Sequence, residues 1–472
     1  YAEQDTELYW ASLLSVLEKL REHNPALFKC IEGLGVTAQR DTMVCLDENG
    51  KPLRNAIIWL DQRKADIVYR PGFPLRQVYA AVGMIDTIKK IQRDGKSNWI
   101  RQHQPEIWKK TYKYTTISGF FHRRMTGLWH DSTANQIGHI PFDYRRQMWS
   151  APSGLSAKLY PIPKEKLPDL VPPGSIIGKI STAFAHQSGL PEGLSVVACG
   201  SDKGCETLGM GVVSPDTASL SFGTTATIQT TTATYVEPLR FLPAYPAPIP
   251  GKFNPEVEIF RGFWMITWFK EQFGFKELSE SKQLGKTPEE LLDETLKTVP
   301  AGSMGLLVQP YWSPGIKQPF AKGAMVGFGS VHTREYMYRA LVEGLCYALL
   351  EGKHRIEKVT KEPIKRITVS GGASRSDAIC RIAADVFGLP LLRGKTAETS
   401  GLGAAVVVQT GIGTYKTVKE AAEGMISHQD EFIPESSNHK LYQELFAVYQ
   451  KIFPSLDHVY KKIGKITDYP KL

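Results

Sequence analysis

With 472 residues, 42% hydrophobic and 22% charged side chains, the chain has an ordinary globular composition; disorder, collagen-like repeats and disulfide scaffolds are excluded. That length suits about three domains of ~150 residues, or two larger ones. The 57 basic and 48 acidic residues give a net charge of +9, too mild and too dispersed to indicate nucleic-acid binding.

The chain opens on a helix, with Trp10, Leu13, Leu14, Leu17 and Leu20 spaced by threes and fours after Asp5 as N-cap. Tyr1 to Glu7 carry neither a basic nor an apolar signal region, so no secretory signal is expected there. A strand is expected over 30–37. Met43 to Leu46 and Ala56 to Trp59 form two more, joined around Asp47-Glu48-Asn49-Gly50, where Asn-Gly signals a turn. Residues 77–128 read as largely helical with interruptions. Within them Arg101 to Lys113 is the one basic stretch near tryptophans, Trp99 and Trp108, and reads as a solvated helical face. Pro152 to Gly174 holds six prolines and two glycines, which predicts a long connection without regular structure.

Ser195 to Cys199 is a short apolar strand running into Gly200-Ser201-Asp202, followed by a glycine-spaced helix from Lys203 to Met210. Ala218 to Thr234 is rich in threonine and alternates as a β-strand does around a Gly-Thr-Thr corner, a plausible start for a second domain. Pro243 to Pro255 reads as another loop and Phe263 to Phe273 as an aromatic helix. A helix over Arg334 to Val359 turns Tyr338, Leu341, Leu345 and Leu349 to one face. The strand Ile367-Thr368-Val369, the loop Ser370-Gly371-Gly372-Ala373, a helix from Asp377 to Phe387, the strand Pro390-Leu391-Leu392 and a small-residue helix from Gly401 to Gly411 complete an α/β pattern with covered sheet faces. The densest apolar run, Leu402 to Val408, is only seven residues, far short of the ~18 of a membrane span. No C-x-x-C pair joins the six cysteines, and all six read as reduced core or near-core residues of a cytoplasmic protein.

Four constellations carry chemistry. Gly371-Gly372-Ala373-Ser374 follows a strand and precedes a helix, a place where backbone can approach an anionic ligand, although tight turns use Gly-Gly without one. Gly223-Thr224-Thr225 offers N–H groups and hydroxyls to phosphate oxygens, or is a plain hairpin corner. Asp202 stands at the C-terminal end of a strand, where a carboxylate serves as general base or metal ligand, or caps the following helix. Gln39-Arg40-Asp41-Thr42 and Trp59-Leu60-Asp61-Gln62-Arg63 mix charge, amide and indole as a polyol requires, and as exposed strand ends often do. No phosphate loop of the G-x-x-x-x-G-K-[ST] type occurs.

In combination and order these segments resemble the FGGY family of carbohydrate kinases, of the actin and hexokinase superfamily, over nearly the whole chain. Ala56 to Arg63 is similar to the family's Ile-x-Trp-x-Asp-x-Arg segment; Val369 to Ala373, Ala384 to Gly388 and Gly401 to Ala405 are similar to its second motif. The resemblance implies an α/β fold of two ribonuclease H-like domains, 1–214 binding sugar and 215–472 binding ATP, with the active site in the cleft between them. It implies ATP-dependent phosphorylation of a sugar, sugar acid or polyol, with ATP and Mg²⁺ as cofactors and neither nucleic acid nor membrane as partner. Many relatives form homodimers, and no interface is legible in the sequence.

Residue by residue, the resemblance makes Asp202 the catalytic base, lying near Mg²⁺. Gly223, Thr224 and Thr225 face the ATP phosphates, and Gly371, Gly372, Ala373 and Ser376 form the adenosine-side loop. Arg40, Asp41, Trp59 and Asp61 hold the sugar. Thr227 stands where glycerol kinases carry an aromatic, which favours a substrate larger than glycerol over a glycerol-kinase-like activity. The family opens on a strand-turn-strand with an Asp-x-Gly-Thr phosphate loop. This sequence has no Asp-x-Gly-Thr, so the expectation is a first domain without that N-terminal hairpin, through truncation. A protein natively without it would bind sugar as a pseudokinase, without turnover.

Overall fold

The computed structural model describes residues 1–313, 320–467 and 469. In the first half, strands β1 (Glu3–Gln4), β3 (Met43–Leu46), β4 (Ala56–Ile57) and β5 (Lys113–Thr116) form an antiparallel sheet in the order β1-β4-β3-β5. Between β1 and β3 lie helix α1 (Thr6–His23) and strand β2 (Gly33–Gly35). The Asp5 side chain caps α1 by accepting from the Glu7 N–H, as the spacing predicts. In the Asp-Glu-Asn-Gly turn, Asp47 Oδ1 accepts from the N–H groups of Asn49 and Lys51, while Gly50 takes φ 84°. Two strands are shorter than expected: the 30–37 stretch is a strand only over Gly33–Gly35, Cys30 being the C-cap of the helical turn Pro25–Lys29, and β4 stops two residues before Trp59.

Strand β2 pairs in parallel with β7 (Ser195–Val197), which pairs antiparallel with β6 (Ile176–Lys179). The proline-rich connection before β6 is not irregular throughout. It holds a helical turn, Leu155–Leu159, and a strand, Asp169–Val171, whose pairing with His130–Ser132 supplies hydrogen-bond partners that the local sequence does not reveal. Trp99 is buried and stacks on His103, and Trp108 packs edge-on to Tyr114, so the basic stretch near them is anchored to the core.

After helix α2 (Asp202–Gly209), the second half is built on six strands: β8 (Thr217–Phe222), β9 (Ala226–Thr230), β10 (Glu256–Ile259), β11 (Arg366–Ser370), β12 (Leu391–Gly394) and β13 (His428–Phe432). Their order is β10-β9-β8-β11-β12-β13, parallel across β8-β11-β12 and antiparallel elsewhere. Helix α3 (Arg334–Thr360) runs behind it, with helices α4 (Asp377–Phe387), α5 (Thr399–Gly411), α6 (Val418–Met425) and α7 (Ser436–Thr467) following in sequence. The sequence predicts one apolar face on α3. In fact every residue from Tyr338 to Leu350 is buried, because sheet, α4 and α7 enclose the helix. Each fully buried leucine there contributes about 1.5–3 kcal/mol. Five of the six cysteines are buried, all six are unpaired, and Cys30 is exposed rather than near-core. Among the described residues, no helix is long and apolar enough to cross a membrane.

The halves meet where α2 crosses α5. A Cβ added at Gly209 would collide with the Thr399 carbonyl, and one at Gly403 with the Cys205 carbonyl. Helix α5 then continues onto the first-half sheet, where a Cβ at Gly33 would lie 2.9 Å from Val408 Cγ1. The glycine spacing of both helices is therefore a packing requirement: only backbone fits between them. Replacing Gly403 by leucine should cost about 3 kcal/mol or more. Gly401→Ala, whose Cβ meets nothing within 4 Å, should be neutral or stabilising by up to about 1 kcal/mol. Chemical denaturation of the two variants measures both; equal losses would mean that the helices do not pack as described.

Candidate active site

Strand β7 delivers the chain to Gly200 and Ser201, where two backbone hydrogen bonds fix the next turn: Ser201 N–H to the Ala134 carbonyl at 3.1 Å and Asp202 N–H to the Ala38 carbonyl at 2.9 Å. Ser201 is the N-cap of α2, its Oγ accepting from the Gly204 N–H. Asp202 is thus the first helical residue, and its carboxylate Oδ1 accepts from the Lys203 N–H at 2.8 Å while Ser201 serves as the N-cap. That carboxylate lines a cavity of about 250 Å³ together with Lys203, Glu206, Gly371 and residues 397–400. Burial pushes the Asp202 carboxyl above the usual aspartate range, with nearby Arg40 and Lys203 holding back part of the rise.

The cavity floor is a polar seam between α2 and the six-stranded sheet. Glu206, one turn beyond Asp202, accepts from Ser221 Oγ at 2.8 Å, Ser370 Oγ at 2.5 Å and Lys203 Nζ at 2.7 Å. Burial alone would push its carboxyl up, but Lys203 and the two serine hydroxyls outweigh that and hold it low. Ser221 stands two residues before Gly223, and Ser370 one before Gly371. One carboxylate therefore fixes the strand ends that carry both glycine loops.

Those loops touch each other. Gly371 takes φ 91°, and a Cβ there would lie 2.7 Å from the Phe222 carbonyl carbon and 2.9 Å from the Gly223 nitrogen. The Gly223-Thr224-Thr225 corner is a hairpin turn between β8 and β9, and its Gly223 carbonyl accepts from the Phe263 N–H at 3.0 Å. At Gly372 a Cβ would meet nothing within 4 Å, so no protein atom demands a glycine there. Ala373 packs against the second-half core, while the Ser376 Oγ caps α4, accepting from the Ile379 N–H at 3.2 Å.

On the other side of Asp202 stands Arg40. Its Nη1 bonds Glu256 Oε2 at 2.7 Å, its Nε reaches Ser201 Oγ at 3.3 Å, and its guanidinium lies 4.6 Å from the Tyr245 ring centre. Its Nη2 is buried with no partner among the described residues. Glu256 also accepts from Gln229 Nε2. Thr227 pairs with Glu258 across β9 and β10, on the same face as Gln229 and Glu256. Glu258 is reached by water, yet the surrounding protein and Glu256 push it up to about 7.

Of the remaining sequence candidates, Asp41 and Asp61 are ion-paired and Trp59 is half exposed. Asp41, at φ 48°, accepts from His139 Nδ1 at 2.8 Å and is paired with Lys96. Burial would raise its carboxyl, but the Lys96 ammonium and the hydrogen-bonded His139 ring beside it hold it well below the usual range. Both oxygens of Asp61 are taken by Arg63, at 2.6 and 2.8 Å. Trp59, two residues beyond β4, is 50% exposed. The structure thus places Asp202 and Gly371 in one cavity wall, Gly223 against Gly371, and Arg40 on Ser201 beside Asp202, with Asp41 and Asp61 in ion pairs of the first half.

Sequence reasoning missed Lys203, Glu206, Glu256, Glu258 and the 397–400 segment. A signal existed for three of them: Glu206 stands four residues beyond Asp202 and shares its helix face. Glu256 and Glu258 alternate with Val257 and Ile259 as the polar side of a strand does.

Residues 1–209 match the N-terminal domain of the FGGY family of carbohydrate kinases, and residues 218–409 match its C-terminal domain. An uncharacterized sugar kinase of Escherichia coli strain K12, YgcE, is 28% identical over 98% of this chain and 87% of its own length. A xylulose kinase of Lactococcus lactis is 25% identical over 99% of this chain and 91% of its own. The crystal structure of a xylulose kinase from Rhodospirillum rubrum superposes with a TM-score of 0.82 at 23% identity, covering 98% of this chain and 92% of that one. The chain belongs to the FGGY family of carbohydrate kinases.

Proposed function

We propose that the protein transfers the γ-phosphate of ATP to a hydroxyl of a sugar or related polyhydroxy compound larger than glycerol, with Asp202 as general base. The observation that carries this reading is the Asp202 carboxylate itself: held in place by the Lys203 N–H on Oδ1, raised by burial, and lining the cavity that Gly371 also borders. A base must sit within reach of the acceptor and hold a proton affinity above that of an ordinary aspartate.

The cavity suits a nucleotide phosphate with Mg²⁺. Among the described residues no group of three or more histidine, cysteine, aspartate or glutamate side chains stands ready for a metal. Mg²⁺ asks for less, one or two carboxylates with phosphate oxygens and water completing its shell. Asp202 is the carboxylate that would hold it. When bound, the ion neutralises charge on the phosphate oxygens. Gly372, with open space where a side chain would be, leaves room for a ligand against its backbone.

This chain's own residues account for the remaining steps. Arg40 offers its unpartnered Nη2 to a substrate hydroxyl, and Thr227, Gln229, Glu256 and Glu258 present a polar strand face. The bidentate tie of Arg40 to Ser201 and Glu256 bridges the two halves, so domain closure would bring acceptor and donor sides together and exclude water. Asp202 takes the hydroxyl proton as the oxygen attacks phosphorus.

Turnover in Asp202→Asn should fall by about 10²–10⁴-fold, with sugar affinity largely spared. Because the folded pKa of Asp202 is raised, its ionised form weakens the fold at neutral pH, so the variant should melt no lower than wild type at pH 7. A coupled ADP-release assay and a melting curve test the pair of outcomes; near-normal turnover removes Asp202 from the mechanism. The base works ionised, so kcat/KM should decline as pH falls through a value above the ordinary aspartate pKa; a limb at or below that value contradicts the role. Gly372→Val should weaken nucleotide binding and leave sugar affinity and melting temperature unchanged, as calorimetry with each ligand would measure. Equal weakening of both ligands would make the loop purely structural.

A further inference from the structure

The cavity beside Asp202 is lined by three carboxylates, those of Asp202, Glu206 and Glu398, and among the described lining residues by one cation, Lys203. That imbalance matters for a ligand that is itself multiply anionic. Two unit charges about 4 Å apart interact by about 4 kcal/mol at an effective dielectric of 20. A phosphate entering such a site meets repulsion unless a cation lies within reach.

Lys203 is the cation so placed. Its Nζ donates to Glu206 Oε2 at 2.7 Å and to Ser221 Oγ at 2.9 Å, and its side chain is 28% exposed. An ammonium has three donors, and two are used. Glu206 is in turn fixed by Ser221 and Ser370. A lysine ordinarily gives up rotamer freedom to bind an anion; here the two bonds to fixed partners have already removed most of it. The same partners tie the ammonium to the strand ends leading into Gly223 and Gly371.

We propose that Lys203 is a catalytic residue that contacts the β- and γ-phosphates of the nucleotide and stabilises the charge of the phosphoryl group in transfer. The proposal rests on the kinase reading. The covalent change is that of the reaction itself: the acceptor oxygen forms its bond to the γ-phosphorus, the bond to the β–γ bridging oxygen breaks, ADP leaves with that electron pair, and Asp202 takes the hydroxyl proton. Lys203 stays protonated throughout, acting by charge and hydrogen bonding.

The full-length protein carrying Lys203→Gln, whose amide can still donate to Glu206, and the charge-retaining Lys203→Arg give the test. Calorimetry would use the magnesium complex of a non-hydrolysable ATP analogue, with AMP, which lacks both outer phosphates, as control. Lys203→Gln should bind the analogue about tenfold more weakly, bind AMP as wild type does, and lose about 10²-fold in kcat. Its sugar affinity should be unchanged and its melting temperature within about 2 °C of wild type. Lys203→Arg should recover most of the analogue affinity. Unchanged analogue affinity and kcat in Lys203→Gln would overturn the proposal, as would parallel losses of AMP binding, sugar affinity and melting temperature, which mark a strut between α2 and β8. Failure of the wild type to release ADP with any sugar would count against the kinase reading alone, since the contrast between analogue and AMP binding still decides the contact.

Discussion

The buried carboxylate of Glu206 is the point on which the rest of the site depends. It leaves α2 in the first half of the chain and accepts hydrogen bonds from Ser221 on β8, Ser370 on β11 and the Lys203 ammonium. A buried charge is tolerable only when its hydrogen-bonding capacity is filled. Here that requirement fixes three elements at once. The strand ends that carry the two glycine loops cannot drift from the helix that carries Asp202 without leaving Glu206 unpaired.

Packing enforces the same arrangement from the other side. Helix α5 approaches α2 so closely that Gly209 and Gly403 admit no side chain, and the Ser400 hydroxyl donates to the Asp202 carbonyl at 3.1 Å. The first turn of α5 thereby becomes a wall of the cavity. Arg40 closes the third side, linked to Ser201 beside Asp202 and to Glu256 on the sheet edge. Function and fold share these contacts: the seam that joins the halves is also the floor of the site.

The sequence made much of this legible. Periodicity located α1 with its Asp5 cap, the long helix α3, and the strand–loop–helix series from 367 to 411, because each has a local cause in spacing, capping or glycine. The close approach of Gly371 to Gly223 was legible because glycine beside a strand end marks close backbone approach. What escaped has causes remote in sequence. The strand Asp169–Val171 depends on pairing with 130–132, and the burial of α3 on all sides depends on α4 and α7. The partners of Asp41, Lys96 and His139, lie 55 and 98 residues away in sequence. Glu206 and Glu256 look like ordinary surface acids until the serines, glutamine and arginine that need them arrive from other strands.

The most direct test of the account is a crystal structure of the protein with a non-hydrolysable ATP analogue, Mg²⁺ and a sugar that stimulates ADP release. The account predicts the terminal phosphate in the cavity between Asp202, Lys203, Gly371 and the 397–400 segment, with a sugar hydroxyl beside the Asp202 carboxylate. A terminal phosphate bound outside that cavity, or a sugar whose hydroxyls lie nowhere near Asp202, would contradict it.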